Sequence, residues 1–254
     1  MIKGLYSAYN GMDSAWKYQD VLSNNIANAN TAGFKRETAT QGSFQDALLS
    51  QQTPVPAPIA ARVQAVVGTI GTGSFITDFS TDFTSGAPQN TGNELDFALT
   101  NGFFQVQSPD GTVYSTRDGR FGRDANGDLV TSQGDYVLDT AGQHINLPAT
   151  PVTVAGDGTI ADSRGNAVAQ LSILDFTPSQ LTRAGEAYFT TSAPGQPVDG
   201  GLRQGYIENS NTDLVEEMTT LLTVERAYQA NQTIFAKLDG TLDIAAGQLG
   251  RFGN

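Results

Sequence analysis

The chain carries one histidine, His144, and no cysteine among its 254 residues. A histidine-rich metal site is therefore out of reach, as are thiolate ligands, disulfides and cysteine nucleophiles. A serine triad would have to recruit His144, which sits in Gly142-Gln143-His144-Ile145-Asn146, a turn leading into a strand. Asp124, Asn126 and Asp128 have the spacing that opens a calcium loop, but that loop needs glycine at its sixth position and a bidentate glutamate at its twelfth. Leu129 and Asp135 stand there instead, so Asn126-Gly127 reads as a hairpin turn. Gly68-Thr69-Ile70-Gly71-Thr72-Gly73 does not spell a phosphate-binding fingerprint, and no long helix follows it. Glu216 and Glu217 are adjacent carboxylates placed at a helix start, where the helix dipole favours negative charge. Asn231-Gln232-Thr233 has the form of a glycosylation acceptor but lies inside a helical stretch. No catalytic residue, metal site or cofactor is expected, and the chain reads as a non-enzyme.

The elements that would position any site separate by hydrophobic period. From Ile2 to Asn30, the positions Leu5, Ala8, Met12, Ala15, Gln19, Leu22 and Ile26 alternate three and four apart, a coiled-coil-like seam broken only at Gln19. Gly33 follows as the expected stop, and such a helix is roughly 40 Å long. Near the other end Leu214, Met218, Leu221, Glu225, Tyr228, Gln232 and Phe235 repeat the spacing, prolonged by Leu242 and Leu249. Asp213 supplies an N-cap with Glu216 as its capping-box partner. Val224, Ala227, Ile234 and Leu238 add a second stripe, so this helix is built to touch more than one partner helix.

Between the helices turn signals recur: Pro109-Asp110-Gly111, Asp118-Gly119, Asn126-Gly127, Gln133-Gly134, Ala141-Gly142, Asp157-Gly158 and Arg164-Gly165. Short apolar runs such as Phe103 to Val106 and Leu171 to Phe176 fill the gaps, which predicts antiparallel hairpins. Pro54, Pro56 and Pro58 punctuate an aperiodic stretch from Gln41 to Val66, read as extended linker. The expected fold is α+β, with long terminal amphipathic helices flanking a mainly antiparallel β-rich domain. The expected boundaries are an N-terminal helix over 1–33, a proline-containing linker over 34–80, the β-rich domain over 81–205 and a C-terminal helix over 206–254.

A formal net charge of −12, with Lys35-Arg36 the longest basic cluster, excludes a nucleic-acid partner. No run approaches the roughly 18–20 apolar residues of a membrane span. Asn10, Asp13 and Lys17 interrupt the region where a cleavable signal peptide needs an unbroken apolar stretch, so export without cleavage is expected. The missing cysteines do not fix a compartment.

The first seam runs into Asn24-Asn25-Ile26-Ala27-Asn28-Ala29-Asn30-Thr31-Ala32-Gly33-Phe34-Lys35. Asparagine is a poor helix former, and Asn24 and Asn28 share a face, where amides can fix register against other helices or simply mark a fraying helix end passing into a turn. This stretch resembles the N-terminal signature of the flagellar rod and hook axial protein family, Asn-Asn-x-Ala-Asn-x-x-Thr-x-Gly-Phe-Lys. Gly205-Tyr206-Ile207-Glu208-Asn209-Ser210-Asn211-Thr212-Asp213-Leu214 is similar to the family's C-terminal signature, and Arg226-Ala227-Tyr228-Gln229-Ala230-Asn231 to the core that follows. Leu95 to Val106 and Tyr114-Ser115-Thr116-Arg117-Asp118-Gly119 resemble two further blocks; Asn101 stands where an acidic residue is common.

The resemblance implies a structural subunit of the basal-body rod, crossing the cell envelope. Its terminal helices would pair with copies of itself and with other rod and hook subunits in a homo- or hetero-polymer, a tubular drive shaft around a channel. It further implies a flagellar type III export apparatus as partner. The implied assembly interface comprises Leu5, Met12, Leu22, Asn24, Asn25, Ile26, Asn28, Asn30, Gly33 and Phe34 at one end, and Asn211, Leu214, Met218, Leu221, Arg226, Tyr228, Asn231 and Phe235 at the other. The length is short for a hook subunit, and the intact Arg226-Ala227-Tyr228 block points to the distal rod, with a proximal-rod or hook-related paralogue as alternative. A different class of reading is a β-rich surface binding module dimerised by its helices; a carboxylate-dependent hydrolase is a third.

Overall fold

The computed structural model describes residues 2–43, 47–52, 64–70 and 73–251, and their order is helix, strands, helix. The chain is α+β. It divides into two compact units, one of Met1–Asn24, Glu37–Ser80 and Val215–Asn254, the other of Asn25–Arg36 and Thr81–Leu214.

The first unit contains most of α1 (Ile2–Ala27) and α2 (Leu214–Arg251). Along α1 the seven seam positions from Leu5 to Ile26 are all buried or half-buried, whereas Tyr6, Tyr9 and Trp16 stay exposed. The helices run antiparallel: Gly4 of α1 lies against Leu238 of α2, and Gly11 against Asn231. A Cβ on Gly11 would sit 2.7 Å from the Asn231 side chain, so the lack of one sets how closely the helices approach. Along α2 the sheltered positions are Glu217, Leu221, Val224, Tyr228, Asn231, Phe235, Leu238, Leu242 and Ala245, spaced alternately four and three, with Thr220 beside them. One stripe is thus drawn from both expected ones, with Leu214, Met218 and Ile234 left exposed. Within one chain α2 has one helix to pack on, and one helix covers one stripe.

The 34–80 stretch, expected as an extended proline-containing linker, carries paired strands. Glu37–Ser43 pairs with Ser74–Thr81, and Ala47–Gln52 pairs antiparallel with Gln64–Ile70. Pro54, Pro56 and Pro58 lie outside the described residues. Ser14 Oγ donates to the Ser74 carbonyl at 2.9 Å, and Gly73 sits against Ser7 and Asn10, so this ribbon covers a second flank of α1.

The second unit is the β-rich body. Its main sheet runs Leu181–Arg183, Tyr188–Thr191, Val113–Thr116, Phe103–Gln107, Tyr136–Val137, Leu129–Thr131 and Phe121–Arg123. Phe104, Val106, Leu129, Val137, Ile145 and Ile160 form a core that is essentially closed to water. Six hairpins share one device. At Gly111, Gly127, Gly134, Gly142, Gly158 and Gly165 the glycine N–H donates to the carbonyl three residues back, with φ between 75° and 92°. A type I turn followed by a left-handed residue restores the strand twist, and glycine takes that conformation without strain. Asp118-Gly119, expected as a seventh turn, is a point of close approach instead: a Cβ on Gly119 would lie 1.7 Å from the Phe97 carbonyl oxygen. Tyr206–Glu208, placed by sequence in the C-terminal helix, is a strand paired with Pro88–Asn90.

Several hairpins add a side-chain brace. The backbone N–H groups of Thr112, Thr159 and Asn166 hold the carboxyls of Asp110, Asp157 and Asp162 below their ordinary value of 3.8. Depressed carboxylates stabilise the fold above the unfolded value and lose that contribution as pH falls through the folded one. The unfolding midpoint of the chain should therefore drop on acidification below about pH 4, and Asp162→Ala should shallow that dependence. Thermal melts between pH 6 and pH 2 check it; parallel curves for the two proteins would refute the assignment.

Candidate functional site

The described residues offer no reactive constellation to build on. His144 stacks on Tyr136 at 4.2 Å between ring centroids, and its Nε2 lies 3.0 Å from Gln107 Oε1. Asp124 Oδ1 accepts the backbone N–H groups of Asn126 and Asp128, which makes that segment a braced hairpin. The site that stands out is a buried ionic joint inside the β-rich body.

Four separated stretches converge there. Helix α1 ends at Ala27, and Asn28 begins a turn in which Thr31 N–H donates to the Asn28 carbonyl and Thr31 Oγ1 to Asn28 Oδ1. Asparagine competes with helical hydrogen bonds through its own side chain, which is why the helix stops six residues before Gly33. Gly33 itself has φ of 68° and sits so tightly on the Arg117–Asp118 peptide that a Cβ would lie 2.3 Å from the Arg117 carbonyl carbon. The next two side chains, Phe34 and Lys35, are both fully buried.

Lys35 Nζ donates to Glu208 Oε1 at 2.6 Å and to the Thr84 carbonyl at 2.8 Å. Gly86 N–H donates to the same carboxylate oxygen at 2.8 Å. Arg117 Nη1 donates to Glu208 Oε2 at 3.1 Å and to the Leu99 carbonyl at 3.2 Å. The Glu208 backbone carbonyl accepts Gly33 N–H at 2.8 Å. One residue thus ties the segment after α1 to the Thr84–Gly86 loop and the Arg117 strand end. Desolvation pushes both Lys35 and Arg117 below their ordinary values, opposed by the Glu208 charge. Removing the Glu208 charge would strand two buried cations and cost about 3–5 kcal/mol, whereas the exposed Asp13–Lys17 pair at 2.9 Å is worth about 0.5 kcal/mol.

Aromatic faces and amides finish the joint. The Arg183 guanidinium lies 4.8 Å from the Phe34 ring centroid and 5.5 Å from that of Phe189, and it donates to the Lys35 carbonyl. The Arg117 guanidinium lies over Phe103. Asn211 Oδ1 accepts Arg36 N–H at 2.8 Å while its Nδ2 donates to the Asp82 carbonyl at 2.8 Å.

The residues marked from sequence as an interface therefore fall into three groups. Leu22, Asn25, Asn28, Gly33 and Phe34 are buried within the chain itself, and Asn211 is engaged in the body. Asn24, Asn30, Leu214, Met218 and Arg226 are exposed; Leu5, Met12, Ile26, Leu221, Tyr228, Asn231 and Phe235 are half-buried. Sequence reasoning missed Glu208, Arg117 and Arg183 as a working set, although the first two stood inside motif blocks.

Gly33→Ala should destabilise the body by about 3 kcal/mol or more, since backbone atoms block the methyl. Gly92→Ala, with φ of 71° but nothing within 4 Å, should cost about 1 kcal/mol. Denaturant titration of both variants checks the pair; equal losses would mean that left-handed strain alone, not close approach, governs Gly33.

Comparison with known proteins places these blocks together. Three family profiles match: "Flagella basal body rod protein" over residues 5–35, "Flagellar hook protein FlgE/F/G D1 domain" over 100–162, and "Flagellar basal body rod FlgEFG protein C-terminal" over 203–247. The chain is 35% identical to the flagellar basal-body rod protein FlgG of Bacillus subtilis, covering 95% of this chain and 97% of the relative. It is 34% identical to FlgG of Agrobacterium fabrum, with 98% and 100% covered. Flagellar basal-body rod protein FlgF of Caulobacter vibrioides is 33% identical over 92% and 91% of the two chains.

Proposed function

The chain belongs to the flagellar basal-body rod protein family, and on that premise we propose that it polymerises through the outward faces of α1 and α2 into a tubular shaft. It is a structural subunit of the flagellar basal-body rod and assembles with other rod and hook subunits. Its matched relatives are rod proteins rather than enzymes. The finer reading is that the two helices form a coiled-coil-like pair whose free sides meet neighbouring pairs. Export through the flagellar type III apparatus without cleavage, and a distal position in the rod, complete it. The intact Arg226-Ala227-Tyr228 block favours the distal position.

One observation carries the polymer reading: large apolar side chains remain exposed on both helices after they have packed on each other. Tyr6, Tyr9 and Trp16 are 64%, 56% and 60% exposed on α1, and Val215, Met218 and Leu222 are 74%, 52% and 57% exposed on α2. Each trio follows helical spacing and so lies on one face. Fully burying a side chain of this size is worth about 1.5–3 kcal/mol, so neighbours gain several kcal/mol per face before ordering costs. No helix among the described residues is long and apolar enough to cross a membrane, so a bilayer-spanning role does not account for these faces.

Met218→Ser combined with Leu222→Ser should leave the unfolding midpoint of the free subunit within about 1 kcal/mol of wild type. The same variant should fail to form rods and to restore motility in a strain lacking the gene. Electron microscopy of basal bodies and a motility assay check this. Normal rods from the double variant would contradict the proposal.

A further inference from the structure

We infer that Glu208 is a positioning residue whose carboxylate holds the Asn25–Arg36 segment in the body as a separately opening clasp. The body is then closed only once the C-terminal block carrying Glu208 is in place. The inference does not depend on where the subunit sits in the rod.

Three observations carry it. The Asn25–Arg36 segment groups with the body, while the chain on either side of it, Met1–Asn24 and Glu37–Ser80, belongs to the other unit. It is a graft, attached by its own contacts rather than by continuity with body strands. Glu208 makes two of those contacts, accepting Lys35 Nζ through its carboxylate and Gly33 N–H through its main chain. It is the one that carries negative charge into the buried joint, while Asn211 and Thr84 offer neutral acceptors and Arg183 donates to the Lys35 carbonyl. Two buried cations, Lys35 and Arg117, share the Glu208 carboxylate as their one ion-pair partner among the described residues, with Asp82 and Asp175 acting on them only from further away. Neutralising Glu208 leaves Lys35 buried beside a second cation, and the group free to leave is the one on the grafted segment. Neutralising Lys35 instead leaves Glu208 and Arg117 as a balanced pair. Neutralising Glu208 therefore loosens the segment and neutralising Lys35 does not, a difference that a purely volumetric role for either side chain would not produce.

The joint also orders events. Glu208 stands 173 residues after Lys35, so a chain made or moved from its N-terminus carries an unpaired Lys35 until the C-terminal block arrives. Until then the body lacks its clasp, and α1 leads into an undocked segment.

Amide hydrogen exchange on the full chain tests this. In the wild type under mild denaturant, Gly33 and Arg36 should exchange through an opening that leaves Gln105 and Val137 protected. In Glu208→Gln, exchange at Gly33 and Arg36 should accelerate on the order of 100-fold or more while the sheet core stays protected. Lys35→Met should not accelerate it, and adding Lys35→Met to Glu208→Gln should restore most of the protection. If Gly33 and Arg36 exchange in wild type only together with the sheet core, the clasp is no separate unit and the inference falls. It falls equally if Glu208→Gln leaves them protected, or if the second substitution rescues nothing. Should Glu208→Gln not fold, the wild-type measurement and Lys35→Met decide alone.

Discussion

A single buried carboxylate sets the terms for the rest of this molecule. Glu208 is 2% exposed and is shared by a lysine, an arginine and a backbone amide drawn from far-apart stretches. An ion removed from water must find its partners in the fold or cost several kcal/mol. That requirement fixes the segment after α1 and the segment before α2 side by side within the body: Gly33 N–H bonds the Glu208 carbonyl, and Arg36 N–H bonds Asn211. The N-terminal motif is then a docking element, with Asn28 and Thr31 making the turn, Gly33 permitting approach, Phe34 filling the core and Lys35 meeting the charge.

That arrangement divides labour between the two units. The body closes its backbone turns through repeated glycine hairpins and encloses a core of Phe104, Val106, Leu129 and Val137. The helices behave differently. They approach each other where Gly11 meets Asn231, and each keeps an apolar face uncovered. A body with a closed core and helices that each keep an apolar face uncovered suit a subunit of a rod.

Much of this was legible in the sequence because periodicity reports burial directly. The seam from Leu5 to Ile26 is legible from spacing, and the turns at Gly111, Gly127, Gly134, Gly142, Gly158 and Gly165 from their residue types. The second helix was harder. Two apolar stripes were visible, but which one a single partner would shelter depends on geometry that spacing does not encode, and the sheltered line takes Leu221 and Tyr228 from one and Val224 and Leu238 from the other. The ionic joint was illegible for another reason. Lys35, Arg117 and Glu208 look like ordinary surface charges, and nothing local says that they meet across 173 residues of chain. The strands between Glu37 and Thr81 were hidden by their composition: ETATQGS and ALLSQQ carry little alternation.

The chain contains one tryptophan, Trp16, on the exposed face of α1. Its fluorescence emission, recorded for the free subunit and again after polymerisation, addresses the central claim without altering a residue. The account predicts emission typical of a hydrated indole in the subunit and a clear blue shift in the rod, as neighbours cover that face. Emission that stays unchanged on polymerisation would mean that the helix faces are not where subunits meet.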